Sequence, residues 1–185
     1  MKRKVVAENY LCFLALLEMV IENEQGVIIT QYDMAEEFGV TIPVGYELNV
    51  NNICYSNNDN EYGVHLNEKI LNEFFEKKNI NIHATYFHIN PFEDLEIDKY
   101  DKLELREGKY IIYTYSYGFL FRENDKLDIG HVALLWDVIS ENELLIYDPG
   151  PKNMGLKKIN RQDMYDAMRC RHSGIYVLER IDHKE

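Results

Sequence analysis

The sequence lacks a disulfide framework and a cysteine-based metal motif. Its three cysteines, Cys12, Cys54 and Cys170, are an odd number, and none has a closely spaced partner. Disulfide-stapled domains carry even sets of cysteines, and zinc or redox motifs place two of them two residues apart. A glycine-rich phosphate loop is also missing, and no cysteine or acidic side chain accompanies His83 and His88 at metal-ligand spacing. We therefore expect no metal and no organic cofactor.

Positive charge is scarce. The chain has 20 basic and 32 acidic residues, which gives a net charge of −12. This field repels phosphate backbones and anionic lipid, so we expect neither nucleic acid nor a membrane as partner. The apolar run from Leu11 to Leu17 is far shorter than the roughly 20 residues of a membrane span, and no small-residue cleavage site follows it. We expect a cytoplasmic protein, and the sequence leaves its oligomeric state open.

The chain has enough hydrophobic residues to form one core. At 185 residues, with 46% hydrophobic residues, 14 Tyr and 8 Phe, it is predicted to form a single domain over residues 1–185. A folded chain of this size buries about 70% of the surface that its unfolded form exposes. The aromatic content argues against disorder.

Helical patterns come first along the chain. Residues 11–25 are apolar all round for two turns, which is typical of a buried helix, and Gly26 is suited to end that helix. A capped helix is predicted after Thr30 and another over 65–79. The Asn-rich stretch 46–63 is predicted to be an irregular loop.

Strand patterns follow, with one further helix. Period-two alternation predicts strands over the segments 80–89, 109–121, 131–139, 143–149 and 173–181. A helix is predicted over 160–169, after a crossing segment at 155–159. Helices roughly within 8–80, followed by a sheet roughly within 80–182, indicate an α+β domain with an antiparallel sheet.

Three residues could form a nucleophilic site. Cys12 lies at the start of the apolar helix, where unpaired backbone N–H groups and the helix dipole favour a thiolate; the alternative is a packed core cysteine. His131 opens one strand, and a neutral imidazole is the usual base for a thiol. Asp148 closes the next strand, where a hairpin would let it orient the imidazole. Its alternative role is turn formation, because Asp-Pro-Gly is common in turns.

These motifs together resemble a known family. A cysteine that heads a buried helix, then "GH" before an apolar strand, then "YDPG" before a glycine and a short helix, is similar to the bacterial double-glycine leader (bacteriocin-processing) peptidases and their stand-alone relatives. The resemblance is specific in two regions, Tyr10 to Val40 and Gly130 to Met168. It implies a papain-like fold, in which the N-terminal helix carrying the cysteine packs on a C-terminal antiparallel sheet. It also implies the Cys–His–Asp order found in Cys12, His131 and Asp148.

Two positions depart from the family pattern. The family has a glycine after the nucleophile, where this chain has Phe13, and an oxyanion-hole glutamine six residues before it, where this chain has Val6. Asn9 is the nearby amide. It could donate to an oxyanion together with the Cys12 backbone N–H, or it could cap the helix, which is the reading that residue type and position favour.

The sequence thus predicts a cysteine-dependent hydrolase that acts on a peptide or amide bond, with a peptide or peptidyl conjugate as substrate. Loss of an oxyanion donor typically costs about a hundredfold or more in rate. A catalytically inactive papain-like binding protein is therefore one alternative, and an acyltransferase that uses the same three residues is another.

Overall fold

The computed structural model of the chain describes residues 3–89, 105–123, 129–151 and 154–181. These residues contain five α-helices and a short 3₁₀ helix at Asp59–Glu61. The helices are α1 (Cys12–Gln25), α2 (Gln31–Phe38), α3 (Glu68–Lys77), α4 (Tyr117–Phe121) and α5 (Arg161–Cys170). The strands are β1 (Val40–Pro43), β2 (Ile53–Ser56), β3 (Ile82–His88), β4 (Lys109–Ser116), β5 (Gly130–Ser140), β6 (Glu143–Asp148), β7 (Gly155–Asn160) and β8 (Gly174–Arg180).

Helix α1 is the buried helix that the sequence predicts. Every residue from Phe13 to Ile21 is buried. The helix begins at Cys12 and ends before Gly26, whose φ of 68° is the left-handed conformation of a C-terminal cap. Leu11 is the N-cap residue, and it makes no side-chain capping hydrogen bond. Packing of apolar side chains, rather than a cap, therefore determines where α1 starts.

The remaining long helices begin at polar caps. Thr30 and Asp33 form a reciprocal capping box at α2. The side chain of Asn67 accepts a hydrogen bond from the backbone N–H of Ile70 at α3, and Asn160 does the same for the first turn of α5. These caps confirm the predicted start of each helix to within a few residues.

A six-stranded sheet in the order β3-β8-β4-β5-β6-β7 forms the second half of the fold, and all of its neighbouring strands are antiparallel. One face contributes Val132 and Leu134 to the core that contains α1. The opposite face contributes Ala133 and Ile146 to a second core, which includes Met164 of α5. The predicted α+β class and the antiparallel sheet are confirmed.

Three local predictions are wrong. The predicted loop 46–63 contains β2, which pairs in parallel with β1, and the 3₁₀ helix. The predicted strand 109–121 ends at Ser116, whose hydroxyl accepts a hydrogen bond from the N–H of Phe119 and so caps α4. The predicted crossing segment 155–159 is the edge strand β7, paired with β6. In each case the side-chain pattern is weak, and backbone pairing or helix capping determines the secondary structure of the segment.

Candidate active site

His131 and Asp148 meet because the β5–β6 hairpin is irregular. Residues 140 and 143 are opposite each other next to the turn, whereas Leu134 pairs with Tyr147, since register shifts occur after Leu135 and after Val138. One more residue along this register, Asp148 is opposite Ala133. Side chains of opposed residues share a sheet face, and so do residues two apart. Asp148 therefore lies on the face of His131 and diagonal to it, and His131 Nε2 is 2.8 Å from Asp148 Oδ1.

The Cys12 thiol is a second group that acts on the pKa of His131. Burial lowers the pKa of His131, but the hydrogen bonds to Asp148 and Cys12 and the charges of both groups outweigh burial and raise the pKa from 6.5 to about 9. Asp148 and Cys12 thus give the imidazole an environment that favours the imidazolium.

The Asp148 carboxylate is fully buried and engaged at both oxygens. Oδ1 accepts hydrogen bonds from His131 and from the Gly150 backbone N–H at 2.9 Å. Oδ2 is 2.7 Å from Lys157 Nζ. Burial raises the pKa of Asp148, while the contacts with His131, Lys157 and Gly150 more than reverse this, so that the pKa is lowered. Asp148 thus contacts His131 as well as the turn, to which Gly150 belongs.

A cleft with a volume of about 930 Å³ opens beside these residues. Cys12, the first residue of α1, lines it together with His131 and Asn9. The cysteine is half-buried, and the His131 side chain retains 11% of its exposure. A molecule in the cleft could therefore reach the sulfur.

The segment before α1 is fastened to the end of the hairpin. The Tyr147 hydroxyl donates to the Val5 carbonyl at 2.9 Å, and the Ala7 N–H donates to the Pro149 carbonyl at 2.8 Å. The side chain of Gln31 donates to the Val6 carbonyl at 2.9 Å. These contacts connect the polypeptide leading to Cys12 with the strand that carries Asp148.

Asn9 does not cap α1, so the favoured sequence interpretation is wrong. Its Nδ2 donates instead to the Tyr46 hydroxyl at 2.7 Å. Tyr10 follows with a φ of 69°, and its ring packs edge-on against the rings of Tyr46 and Tyr62. This aromatic cluster holds a left-handed residue between Asn9 and the helix, and the Asn9 amide is left lining the cleft.

The two departures from the family pattern have different structural settings. Phe13 is buried, and its ring centroid is 4.9 Å from that of Tyr176. A side chain is thus accommodated where the family has glycine. Val6 is 50% exposed and contacts the rest of the structure through its carbonyl. It supplies no amide to the cleft.

Gly130 lies against the side chain of Arg171. A Cβ at this position would lie 2.4 Å from Nε of Arg171, so the guanidinium packs against the backbone directly before His131. Arg171 also lines the cleft, next to Cys170 and His172. The glycine of the "GH" motif therefore makes room for an arginine.

Of the other two cysteines, Cys170 lines the same cleft, whereas Cys54 does not. Cys54 is exposed on β2, and Cys170 is exposed at the end of α5. His83 is exposed on β3. Within the described ranges, no three His, Cys, Asp or Glu side chains form a group that could hold a metal ion. No helix in the described part of the chain is long and apolar enough to cross a membrane.

Three residues at the site were missed. Lys157 contacts Asp148, Tyr46 contacts Asn9, and the fully buried Tyr115 packs edge-on against His131 with ring centroids 5.8 Å apart. The Tyr115 hydroxyl has no hydrogen-bond partner among the described residues. Burial and the charges of Asp148, Cys12 and Tyr117 raise the pKa of Tyr115 well above its ordinary value. Alternation could have indicated Lys157, had residues 155–159 been read as a strand.

Helix α1, which begins at Cys12, packs on the antiparallel sheet that carries His131 and Asp148, as in the papain-like fold that the sequence predicts. A solved structure from Bacillus anthracis, assigned to the C39-like peptidases, matches this fold with a TM-score of 0.60 and 17% sequence identity. The match covers 99% of this chain and 96% of that one. No family model matches the sequence, and the search of curated proteins likewise found no match.

Proposed function

We propose that the chain is a cysteine-dependent hydrolase of peptide or amide bonds, with Cys12 as nucleophile, His131 as general acid and base, and Asp148 as the group that orients His131. The observation that carries this proposal is the contact of the His131 imidazole with the buried Asp148 carboxylate at 2.8 Å, in a cleft that Cys12 and His131 both line. This is the arrangement that activates a thiol and fixes the tautomer of its base.

In the proposed reaction, the Cys12 sulfur attacks the substrate carbonyl carbon, and the carbonyl oxygen becomes an oxyanion. The His131 imidazolium gives its proton to the leaving amine as the C–N bond breaks, which leaves a thioester on Cys12. Neutral His131 then takes a proton from water, and the hydroxide attacks the thioester. The C–S bond then breaks and the acid product leaves, which regenerates the Cys12 thiolate beside the His131 imidazolium that holds the proton taken from water. Asp148 stays ionised and stabilises the imidazolium throughout.

The oxyanion would be bound at the start of α1. The first N–H groups of a helix have no partner within the helix, and Leu11 provides no side-chain cap. The Cys12 N–H is therefore one proposed donor. The Asn9 amide is the second, because Nδ2 carries two hydrogens and Tyr46 accepts one of them. Tyr46 would thereby fix the direction in which the other N–H points.

The three cysteines provide an internal test. Cys54 is more exposed than Cys12, so simple accessibility predicts that iodoacetamide modifies Cys54 faster. If His131 holds Cys12 as a thiolate, Cys12 reacts faster at mildly acidic pH, where an ordinary thiol is protonated. Rates at each cysteine would be measured by peptide mass spectrometry in the wild type, in Cys12→Ser and in His131→Ala. Equal or slower reaction of Cys12 relative to Cys54 in the wild type contradicts the proposal.

Measuring the cleavage of a peptide library distinguishes a hydrolase from a catalytically inactive binding protein. Asn9→Ala should lower turnover by about a hundredfold, the usual effect of losing one oxyanion donor, while Cys12 alkylation stays unchanged because no oxyanion forms in that reaction. Tyr46→Phe should show the same pattern with a smaller loss. Rapid Cys12 alkylation without cleavage of any peptide would favour the binding protein, and transfer of the acyl group to an added amine would favour the acyltransferase.

A further inference from the structure

Lys157 occupies a position that the Cys–His–Asp arrangement alone does not require. In the β6–β7 pairing, Asp148 is opposite Gly155 and Ile146 is opposite Lys157. Lys157 is thus diagonal to Asp148 on the same face of the sheet. Its Nζ is 2.7 Å from Asp148 Oδ2 and 4.6 Å from the centroid of the Phe121 ring. The ammonium is directed inward, and only 21% of the side chain remains exposed.

The neighbouring lysine shows that this placement is specific. Lys158 has 66% of its side chain exposed, and its Nζ comes only within 3.9 Å of Glu143. Successive residues of a strand point to opposite faces. The two lysines are neighbours in sequence and have the same side chain, but only Lys157 lies next to Asp148. Lys158 is therefore a matched control for Lys157.

Asp148 consequently serves two cations. One oxygen faces His131 and the other faces Lys157, and the carboxylate is fully buried. The Lys157 ammonium repels a positive charge on the His131 ring, because both cations share the single negative charge of Asp148. Lys157 should therefore lower the pKa of His131. Other ionisable or charged groups near His131 in the described residues include Cys12 of α1, Tyr115 of β4, Tyr117 of α4 and Arg171, which packs on Gly130, and His172 lines the same cleft.

We propose that Lys157 is a positioning residue that fixes the Asp148 carboxylate and shares its charge, so that the His131 imidazolium releases its proton more readily to the leaving amine. This inference rests on the proposed function for its catalytic meaning. Its electrostatic part, the effect of Lys157 on His131, stands on the contacts of Asp148 alone. Tight pairing of imidazolium and carboxylate without Lys157 would favour the ion pair but slow proton delivery.

The test measures the titration of the His131 ring by NMR in the full chain. Lys157→Met removes the charge and the hydrogen bond, and Lys157→Gln removes the charge but keeps a donor for Oδ2. Both should move the His131 titration to higher pH by about one unit, the size of shift that a nearby charge produces. Lys157→Arg should restore the wild-type midpoint, and Lys158→Met should leave it unchanged. If Lys157→Met does not fold, Lys157→Gln decides the outcome, because it preserves the contact with Asp148.

The pH profile of Cys12 alkylation gives a second readout. Loss of a nearby positive charge should move the whole profile to higher pH, whereas a merely structural role would scale the rate without moving the profile. An unmoved or downward-shifted His131 midpoint in folded Lys157→Gln, or an equal shift in Lys158→Met, overturns the inference. Wild-type Cys12 that reacts no faster than Cys54 overturns the proposed function instead, and the NMR comparison still decides the effect of Lys157.

Discussion

The two sides of the cleft are held in different ways. His131 and Asp148 lie on paired strands, and both oxygens of the carboxylate are engaged by side-chain or backbone donors. Cys12 and Asn9 lie on a segment whose helix has no side-chain cap and whose approach contains a left-handed tyrosine. That segment is held by tertiary contacts, including the Tyr147 hydroxyl bound to the Val5 carbonyl.

The difference indicates where each side is sensitive to change. On the His–Asp side, the geometry depends on a buried charge and a strand register, so that a single atom exchanged at the carboxylate has a large effect. On the Cys–Asn side, several individually modest contacts share the task, so that single changes should cost less in stability. The following predictions test this contrast.

The largest effect is expected at Asp148. Asp148→Ala leaves Lys157 and the His131 imidazolium without their common counter-ion, and breaking a buried pair in this way costs about 3–5 kcal/mol. Asp148→Asn should also lower the free energy of unfolding, because an amide cannot satisfy two cations, and it should slow Cys12 alkylation by at least about tenfold. Urea denaturation and the alkylation rate measure the two effects.

The matched control on the other side is Asn9→Ala, which loses one hydrogen bond to the Tyr46 hydroxyl and should cost about 1 kcal/mol. A stability loss at Asn9 as large as that at Asp148 would remove the proposed contrast between the two sides.

The next effect is the dependence of stability on pH. Because the pKa of His131 rises from 6.5 to about 9 on folding, its contribution is fully present below pH 6.5 and is lost as the pH rises through about 9. It amounts to up to about 3 kcal/mol, since one pKa unit corresponds to about 1.4 kcal/mol. Asp148, whose pKa is lowered, contributes above about pH 4 and loses that contribution as the pH falls through its folded value. Stability should therefore be highest between about pH 4 and pH 6.5.

Denaturation at several pH values would measure this dependence in the wild type and in His131→Gln, which should lose most of the alkaline slope. His83→Gln, at an exposed strand position, is the control. An identical alkaline slope in His131→Gln and in the wild type would show that His131 is not the group responsible.

The smallest effect concerns two buried tyrosines. Tyr147→Phe removes the hydrogen bond that connects β6 to the Val5 carbonyl, and it should cost about 1 kcal/mol or somewhat more, since it leaves a buried carbonyl unpaired. Tyr115→Phe removes a buried hydroxyl without a described partner, so stability should be unchanged or higher. Thermal unfolding compares the two variants, and a larger loss in Tyr115→Phe than in Tyr147→Phe would contradict this account.

The sequence predicts the elements of this fold better than the details of the cleft. The long apolar run that begins at Leu11 predicts α1, and strand alternation predicts that His131 and Asp148 lie at the same end of a hairpin. These features depend on patterns within a few residues. Asn9 was misread because Tyr10 is held in a left-handed conformation by aromatic rings from residues 46 and 62, which are distant in sequence. Lys157 was missed because its role depends on the register of an edge strand.

The two register shifts in the hairpin carry a consequence for insertions and deletions. Trp136 and Ile139 are the extra residues on β5 at these shifts. Because side chains alternate between faces, an odd change in the number of residues between His131 and Asp148 would turn the carboxylate to the other face of the sheet. The two extra residues together cancel that inversion and place Asp148 opposite Ala133 instead of Leu135, two residues nearer to His131. Viable insertions or deletions within the paired part of β5 should therefore come in twos, so that the parity of the strand, rather than its composition, limits how this site can diverge.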